Sequence, residues 1–319
     1  MCVQWRHAGK SRDGKGAGTM LAYVLSGGGS LGALQAGALE VLLERGPRPQ
    51  IVVGTSAGAL NAVFVAADPT PQGARAMQGV WHGAQPARLG PPGVFSLARR
   101  FMFGRESLFS NDRLRDYLAR SLPLGLRTFG EVYEHTGVRA LTVAVGLHSG
   151  RVRVFGEERG DRLIDGAMAS TALPPYYPPW SVGDERYLDG GVLSNLPLEV
   201  AMAHGASEAV VLDLHDAAAH PAATSMRDIG LAAIGIMIRC QTEAQMETAR
   251  QAGLRLHHLS LSAGGVPFFD FSHVDELVRL GRSAAEDFLL RNPQRLPGGP
   301  TWRYRWRRLT GRVPQRPRW

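Results

Sequence analysis

A serine between two glycines, Gly54-Thr55-Ser56-Ala57-Gly58, stands directly between an apolar run, Ile51 to Val53, and an apolar segment of helical character from Ala57 to about Ala67. In that setting G-x-S-x-G is the arrangement of a nucleophile elbow. The serine occupies a strained strand-to-helix turn from which its hydroxyl projects, and the small neighbours let strand and helix pack closely. Ser56 is the candidate nucleophile, Gly54 and Gly58 are the elbow glycines, and the N–H of Ala57 at the helix start can face a developing oxyanion.

Gly27-Gly28-Gly29-Ser30-Leu31-Gly32 follows another apolar run, Leu21 to Leu25, and precedes a helix expected over about Leu31 to Arg45. Taken as Gly27-x-Gly29-x-x-Gly32 it satisfies a dinucleotide-binding fingerprint, which also needs an acid about 20 residues further on, at the end of the next strand. The first acid after that strand is Asp68, past an entire helix, so a nucleotide cofactor is disfavoured. The same backbone property suits an oxyanion hole, because successive glycine N–H groups at a helix start form a concave donor array. Gly28 and Gly29 are the first candidates for donors, with Gly27 and Ser30 beside them.

Serine is a poor nucleophile at neutral pH and needs a base within hydrogen-bond reach. Asp189-Gly190-Gly191, followed by Asn195 and Pro197, offers one, although Asp before two glycines is by itself usually a turn. An ordinary Ser-Asp-His triad would instead need a late histidine, and His215, His257, His258 and His273 qualify by order. His215, at the end of an expected strand, is the first of these to test.

The glycine loop, the elbow and Asp189-Gly190-Gly191, in that order, resemble the patatin-like phospholipase family. Ser170-Thr171-Ala172-Leu173-Pro174, Tyr177-Pro178-Pro179, Asn195 and Pro197 add to the likeness, which covers roughly residues 21 to 290. The resemblance implies a three-layer α/β/α sandwich on a mainly parallel sheet and a Ser56–Asp189 dyad without histidine. It also implies no metal or organic cofactor, and hydrolysis of phospholipid or neutral-lipid esters. One departure is Leu31, where family members often carry a basic residue.

The elements that must position these residues alternate strand and helix, the pattern of a parallel sheet covered on both faces. Further strands are expected over Arg139 to Val145 and Val152 to Phe155, joined around Ser149-Gly150, and over Val210 to Asp213 and Leu256 to Leu261. Helices are expected from about Met226 to Gln251, with Ser225 and Asp228 placed for a capping box, and from about Ser272 to Leu290. The stretch Ile229 to Ile238 within the former reads as a buried helix.

The chain has 319 residues, 44% of them apolar, enough for one large catalytic domain. This is expected over residues 20–291, between a disordered leader at 1–19 and a basic, aromatic-containing tail at 292–319. The formal charge of +8 sits in the ends: seven arginines in residues 302–319 and a net +3 in residues 1–18 leave residues 19–301 at about −2. Nucleic acid is therefore not the expected partner, although Trp302, Tyr304, Trp306 and Trp319 interleave with arginines in a way that suits a headgroup interface or base stacking. A non-catalytic membrane-surface protein is the corresponding rival reading.

Cys2 and Cys240 are too few for a disulfide framework or a zinc site, which fits a reducing cytoplasm. No stretch reaches the roughly 18 apolar residues of a membrane span. Contact with a membrane, at its inner face, is then peripheral, through the basic tail and residues 94–109, where seven large apolar residues (Phe95, Leu97, Phe101, Met102, Phe103, Leu108 and Phe109) mix with Arg99, Arg100 and Arg105; an ordinary helix packed on the body is the equal alternative for that segment.

Overall fold

β1 (Leu21–Leu25) is apolar throughout and buried along its whole length, as a central strand covered on both faces must be. Its side chains alternate: Leu21, Tyr23 and Leu25 enter one core cluster, Ala22 and Val24 another on the opposite face of the sheet. A computed structural model of the protein describes residues 19–84, 110–122, 125–215, 226–266 and 270–292. The expected leader, the 94–109 segment and the basic tail lie outside these residues, apart from Thr19 and Asn292, as does Ser225 of the expected capping box.

Parallel to β1 run β2 (Ile51–Thr55) on one side and β7 (Glu208–His215) on the other. β3 (Arg139–Gly146) continues the parallel sheet beyond β2, and β8 (Arg255–Ser262) beyond β7. The sheet then turns antiparallel at one edge, where β6 (Glu185–Asp189) pairs with β3 and β5 (Trp180–Val182) pairs with β6. β4 (Val152–Phe155) also pairs antiparallel with β3, giving the order β5-β6-β3-β2-β1-β7-β8 with β4 off this path. Gly150 takes a φ of 62° in the expected β3–β4 turn.

One face of the sheet is covered by α1 (Gly32–Arg45), α2 (Ala57–Ala67), α3 (Pro71–Gly83) and α9 (Val274–Arg291), whose apolar residues share a cluster with Tyr23 and Val52. The opposite face carries α7 (Leu198–Ala203) and the C-terminal half of α8 (Met226–Gln251), through Leu198, Val200, Met246 and Ala249. Sheet and two helical layers make the expected α/β/α sandwich. α4 (Asn111–Ser121), α5 (Phe129–Thr136) and α6 (Leu163–Ser170) were not anticipated; α4 and α6 pack together through Leu114, Leu118, Ile164 and Met168.

The first half of α8 corrects an expectation. Ile229, Ile234, Ile236 and Met237 are 56%, 42%, 47% and 70% exposed, so Ile229 to Ile238 is not a buried helix. Beyond Gln241 the helix is covered, with Thr242, Gln245, Met246 and Ala249 buried, the last two in the cluster on the sheet. Among the described residues no helix is long and apolar enough to cross a membrane.

Candidate active site

β3 acts as the ruler of the site. Thr55, the last residue of β2, pairs with Val143 of β3, while Asp189, the last residue of β6, pairs with the adjacent Ala144 from the other side. Ser56 and Asp189, 133 positions apart in the chain, are thus delivered to one level of the sheet.

Ser56 adopts φ 55° and ψ −122°, and among the described residues it is the non-glycine residue with positive φ. Such a conformation costs on the order of 1–3 kcal/mol and persists only where its surroundings enforce it. Those surroundings are close backbone approaches. A Cβ on Gly54 would lie 2.1 Å from the carbonyl oxygen of Gly58, and one on Gly58 would lie 2.4 Å from that of Leu25. The Ser56 N–H donates to Ser170 Oγ at 2.9 Å, and Ser170 Oγ donates to the Val143 carbonyl at 2.6 Å, so α6 and β3 brace the turn.

Asp189 is buried at 1% exposure. Oδ1 accepts the Gly191 N–H at 2.8 Å, while Oδ2 is buried with no completed hydrogen bond. Burial pushes the carboxyl up to about 7, against the opposing effects of the Gly191 N–H and of the Ser56 hydroxyl. The hydroxyl is thus close enough to act on the carboxyl while its approach stops short of a full hydrogen bond. The fold itself supplies this desolvation, without any bound lipid.

The glycine loop lies at the carboxyl end of β1, where strand order departs in both directions, the crevice position of open α/β sheets. Gly29 to Leu31 forms a single 3-10 turn before α1, so the helix begins at Gly32, one residue later than expected. Gly27 is committed elsewhere: its N–H donates to the Asn195 carbonyl at 3.2 Å, which removes it from the expected set of oxyanion donors. Among the described residues nothing accepts the N–H groups of Gly28, Gly29 or Ala57. Ser30 and Leu31 are buried, and Leu31 belongs to the core, so its apolar identity follows from packing. Behind the loop, Gln35 Nε2 donates to the Ser26 and Leu212 carbonyls, and Asn61 Nδ2 donates to Gln35 Oε1 and to the Gly32 carbonyl.

After Asp189 the chain makes a 3-10 turn over Gly190–Val192 and is then held by α8. Gln241 Oε1 accepts the Asn195 N–H at 2.8 Å, Gln245 Oε1 accepts the Leu196 N–H at 3.0 Å, and Gln245 Nε2 donates to Ser194 Oγ at 3.0 Å. From β2, Thr55 Oγ1 donates to the Ser194 carbonyl at 2.8 Å. The histidines considered for a triad sit otherwise. His257 pairs with the buried Glu208 at the start of β7, His258 with Asp213, and His273 with Asp270 and Glu276. His215 ends β7, and its side chain lies outside the described residues. Among the described residues no group of three or more His, Cys, Asp or Glu is arranged to hold a metal ion.

The sequence model of the family described as patatin-like phospholipase matches residues 23–202, more than half of the chain. The chain belongs to this family. The glycine loop, the Ser56 elbow and Asp189-Gly190-Gly191 fall inside the patatin-like match. YqhO of Bacillus subtilis is 30% identical over 190 residues, covering 55% of this chain and 64% of that protein. The triacylglycerol lipase SDP1L of Arabidopsis thaliana is 27% identical over 206 residues, covering 56% of this chain but 25% of the lipase. The chain thus matches less than two thirds of the length of these relatives. Among solved structures, VipD from Legionella pneumophila aligns at a TM-score of 0.45 and 15% identity, over 85% of this chain and 66% of that one.

Sequence reasoning missed three residues that brace the site. Ser170 was visible only as part of a motif without a role, and Gln241 and Gln245 carried no signal. Their contacts to the Asp189 loop span 46 to 51 positions of sequence.

Proposed function

We propose that this protein is a serine lipid acyl hydrolase that cleaves fatty-acyl ester bonds of phospholipid or neutral lipid through a Ser56–Asp189 dyad. The observation that carries the reading is the Asp189 carboxyl: buried, with Oδ2 uncommitted, raised to about 7, and under the influence of the Ser56 hydroxyl. A base with a pKa near the working pH is well matched to general base catalysis, and desolvation of this kind brings a carboxylate into that range. Family membership and the name of the plant relative, a triacylglycerol lipase, support a lipid ester as substrate.

In the proposed reaction Asp189 takes the Ser56 proton as Oγ attacks the ester carbonyl carbon. The negative charge moves to the carbonyl oxygen, which the N–H groups of Gly28, Gly29 and Ala57 stabilise. Collapse of the tetrahedral intermediate breaks the bond to the alcohol, which leaves with the proton from Asp189. Water, deprotonated by Asp189, then attacks the acyl–Ser56 ester; fatty acid departs and Ser56 recovers its proton. The strained elbow holds Oγ ready for attack without a reorganisation step.

The test is release of p-nitrophenol from medium-chain acyl esters and of fatty acid from mixed phospholipid vesicles. Ser56→Ala and Asp189→Asn are expected to abolish both, with the fold checked by circular dichroism. A second reading, a triad using His215, is favoured only by the position of that residue at the end of β7. Loss of activity in His215→Ala with full retention in Asp189→Asn would replace the dyad with it.

A further inference from the structure

Among the described residues nine large apolar side chains are exposed, and six of them belong to two neighbouring segments: Val192 and Leu193, directly after the Asp189 turn, and Ile229, Ile234, Ile236 and Met237 of α8. The two segments are joined. Gln241 Nε2 donates to the Val192 carbonyl at 3.4 Å, and Met237 and Ile234 lie four and seven positions before Gln241, on the same side of the helix. Ile229 and Ile236, seven apart, extend the apolar surface around the helix. From Ile229 to Ile238 there is no charged residue, and the exposed Arg239 closes the stretch. A helix apolar on all sides is ordinarily buried in a protein core or in lipid, and four large apolar side chains exposed within nine residues, Ile229 to Met237, are anomalous for a surface helix.

We infer that the first half of α8, together with Val192 and Leu193, is the docking surface by which this protein sits on an anionic phospholipid bilayer. The inference rests on the hydrolase reading for the identity of the occupant. Two observations select lipid. The patch is continuous with the loop that carries Asp189, so what it binds lies at the mouth of the proposed site. The charge is complementary: the exposed Arg239 borders the apolar stretch, where a headgroup would lie. An apolar face inserted below the headgroups with cations at their level is the arrangement of an interfacial helix. The same helix then continues into Gln241 and Gln245, which hold the loop between Asp189 and α7. Docking therefore places the bilayer against an element that touches the catalytic loop directly.

The experiment uses the full chain carrying Ser56→Ala, so that binding is measured without turnover. Co-sedimentation is measured with vesicles of phosphatidylcholine and phosphatidylglycerol, with and without Ile236→Glu/Met237→Glu. The Glu pair is expected to weaken vesicle binding at least ten-fold. In the Ser56 background the same pair is expected to lower fatty-acid release from vesicles to a similar extent and to leave hydrolysis of a water-soluble short-chain p-nitrophenyl ester within about two-fold. The milder Ile236→Ser/Met237→Ser serves should the Glu pair unfold. Vesicle binding at wild-type strength in a folded Glu or Ser pair would overturn the inference. So would a wild-type dimer, converted to monomer by the pair and indifferent to vesicles, which would give the face to a second copy. A protein with the wild-type Ser56 and no substitution in α8 that binds vesicles, weakened by the pair, yet releases product from neither ester would instead count against the hydrolase reading alone.

Discussion

The hydroxyl of Ser170 accepts the backbone N–H of Ser56 over 2.9 Å while donating to Val143. A residue of α6 thereby fastens the elbow to β3, the strand that also sets the height of Asp189. Ser170→Ala leaves the Ser56 N–H and the Val143 carbonyl without this partner, at a cost of about 1–3 kcal/mol. It is expected to lower kcat by about 10- to 100-fold through misplacement of Oγ, with KM changed little. Steady-state kinetics on a soluble ester, read beside a thermal melt, check both effects.

The elbow glycines have no room for a methyl group. With Cβ positions 2.1 Å and 2.4 Å from backbone oxygens, Gly54→Ala and Gly58→Ala must displace β2, α2 or the end of β1. Each is expected to destabilise by about 3 kcal/mol or more, or to prevent soluble expression. Denaturant midpoints or soluble yield measure this.

Asp189 makes a pH prediction with two opposite signs. As a base it works only when ionised, so activity is expected to rise with pH through about 7 and then level off. Stability runs the other way. The folded carboxyl keeps its proton up to about 7, whereas the unfolded one releases it near the ordinary 3.8, so between these values the folded state binds more protons. Stability from this group is complete below the lower value and is lost as pH rises to the upper one, by on the order of 4 kcal/mol. Asp189→Asn is therefore expected to be inactive yet more stable than wild type at pH 8, with the gain vanishing towards pH 4. Urea unfolding at the two pH values tests this.

The motif order made the sheet and both halves of the proposed dyad legible, because Ser56 and Gly28 stand next to apolar runs whose strand character is local. What joins them was not. β6 is half-exposed along most of its length and contains Glu185, Arg186 and Tyr187, so its residues give no clean alternation, and Asp189 looks like a turn until β3 pairs with it. The commitment of Gly27 to Asn195 depends on a contact across 168 positions. Ile229 to Ile238 misled for a different reason: hydrophobicity says that a segment avoids water but does not say whether protein or lipid provides the cover.

Two of the late histidines hold carboxylates on β7. His257 supports the Glu208 carboxylate, shared with Arg255, at the start of β7, the end of the strand remote from the elbow. His257→Ala is expected to lower the melting temperature with kcat/KM within about three-fold of wild type. His258→Ala, which frees Asp213, is expected to do the same. Melts and ester hydrolysis on the two variants separate a structural from a catalytic effect.

The central claim, that Asp189 activates Ser56, is tested most directly by covalent trapping with a fluorophosphonate, read by intact mass and peptide mapping. Wild type at pH 8 is expected to gain one adduct on Ser56, Ser56→Ala none, and Asp189→Asn to label at least 100-fold more slowly while remaining folded. An adduct on another residue, or labelling of Asp189→Asn at the wild-type rate, would contradict the account.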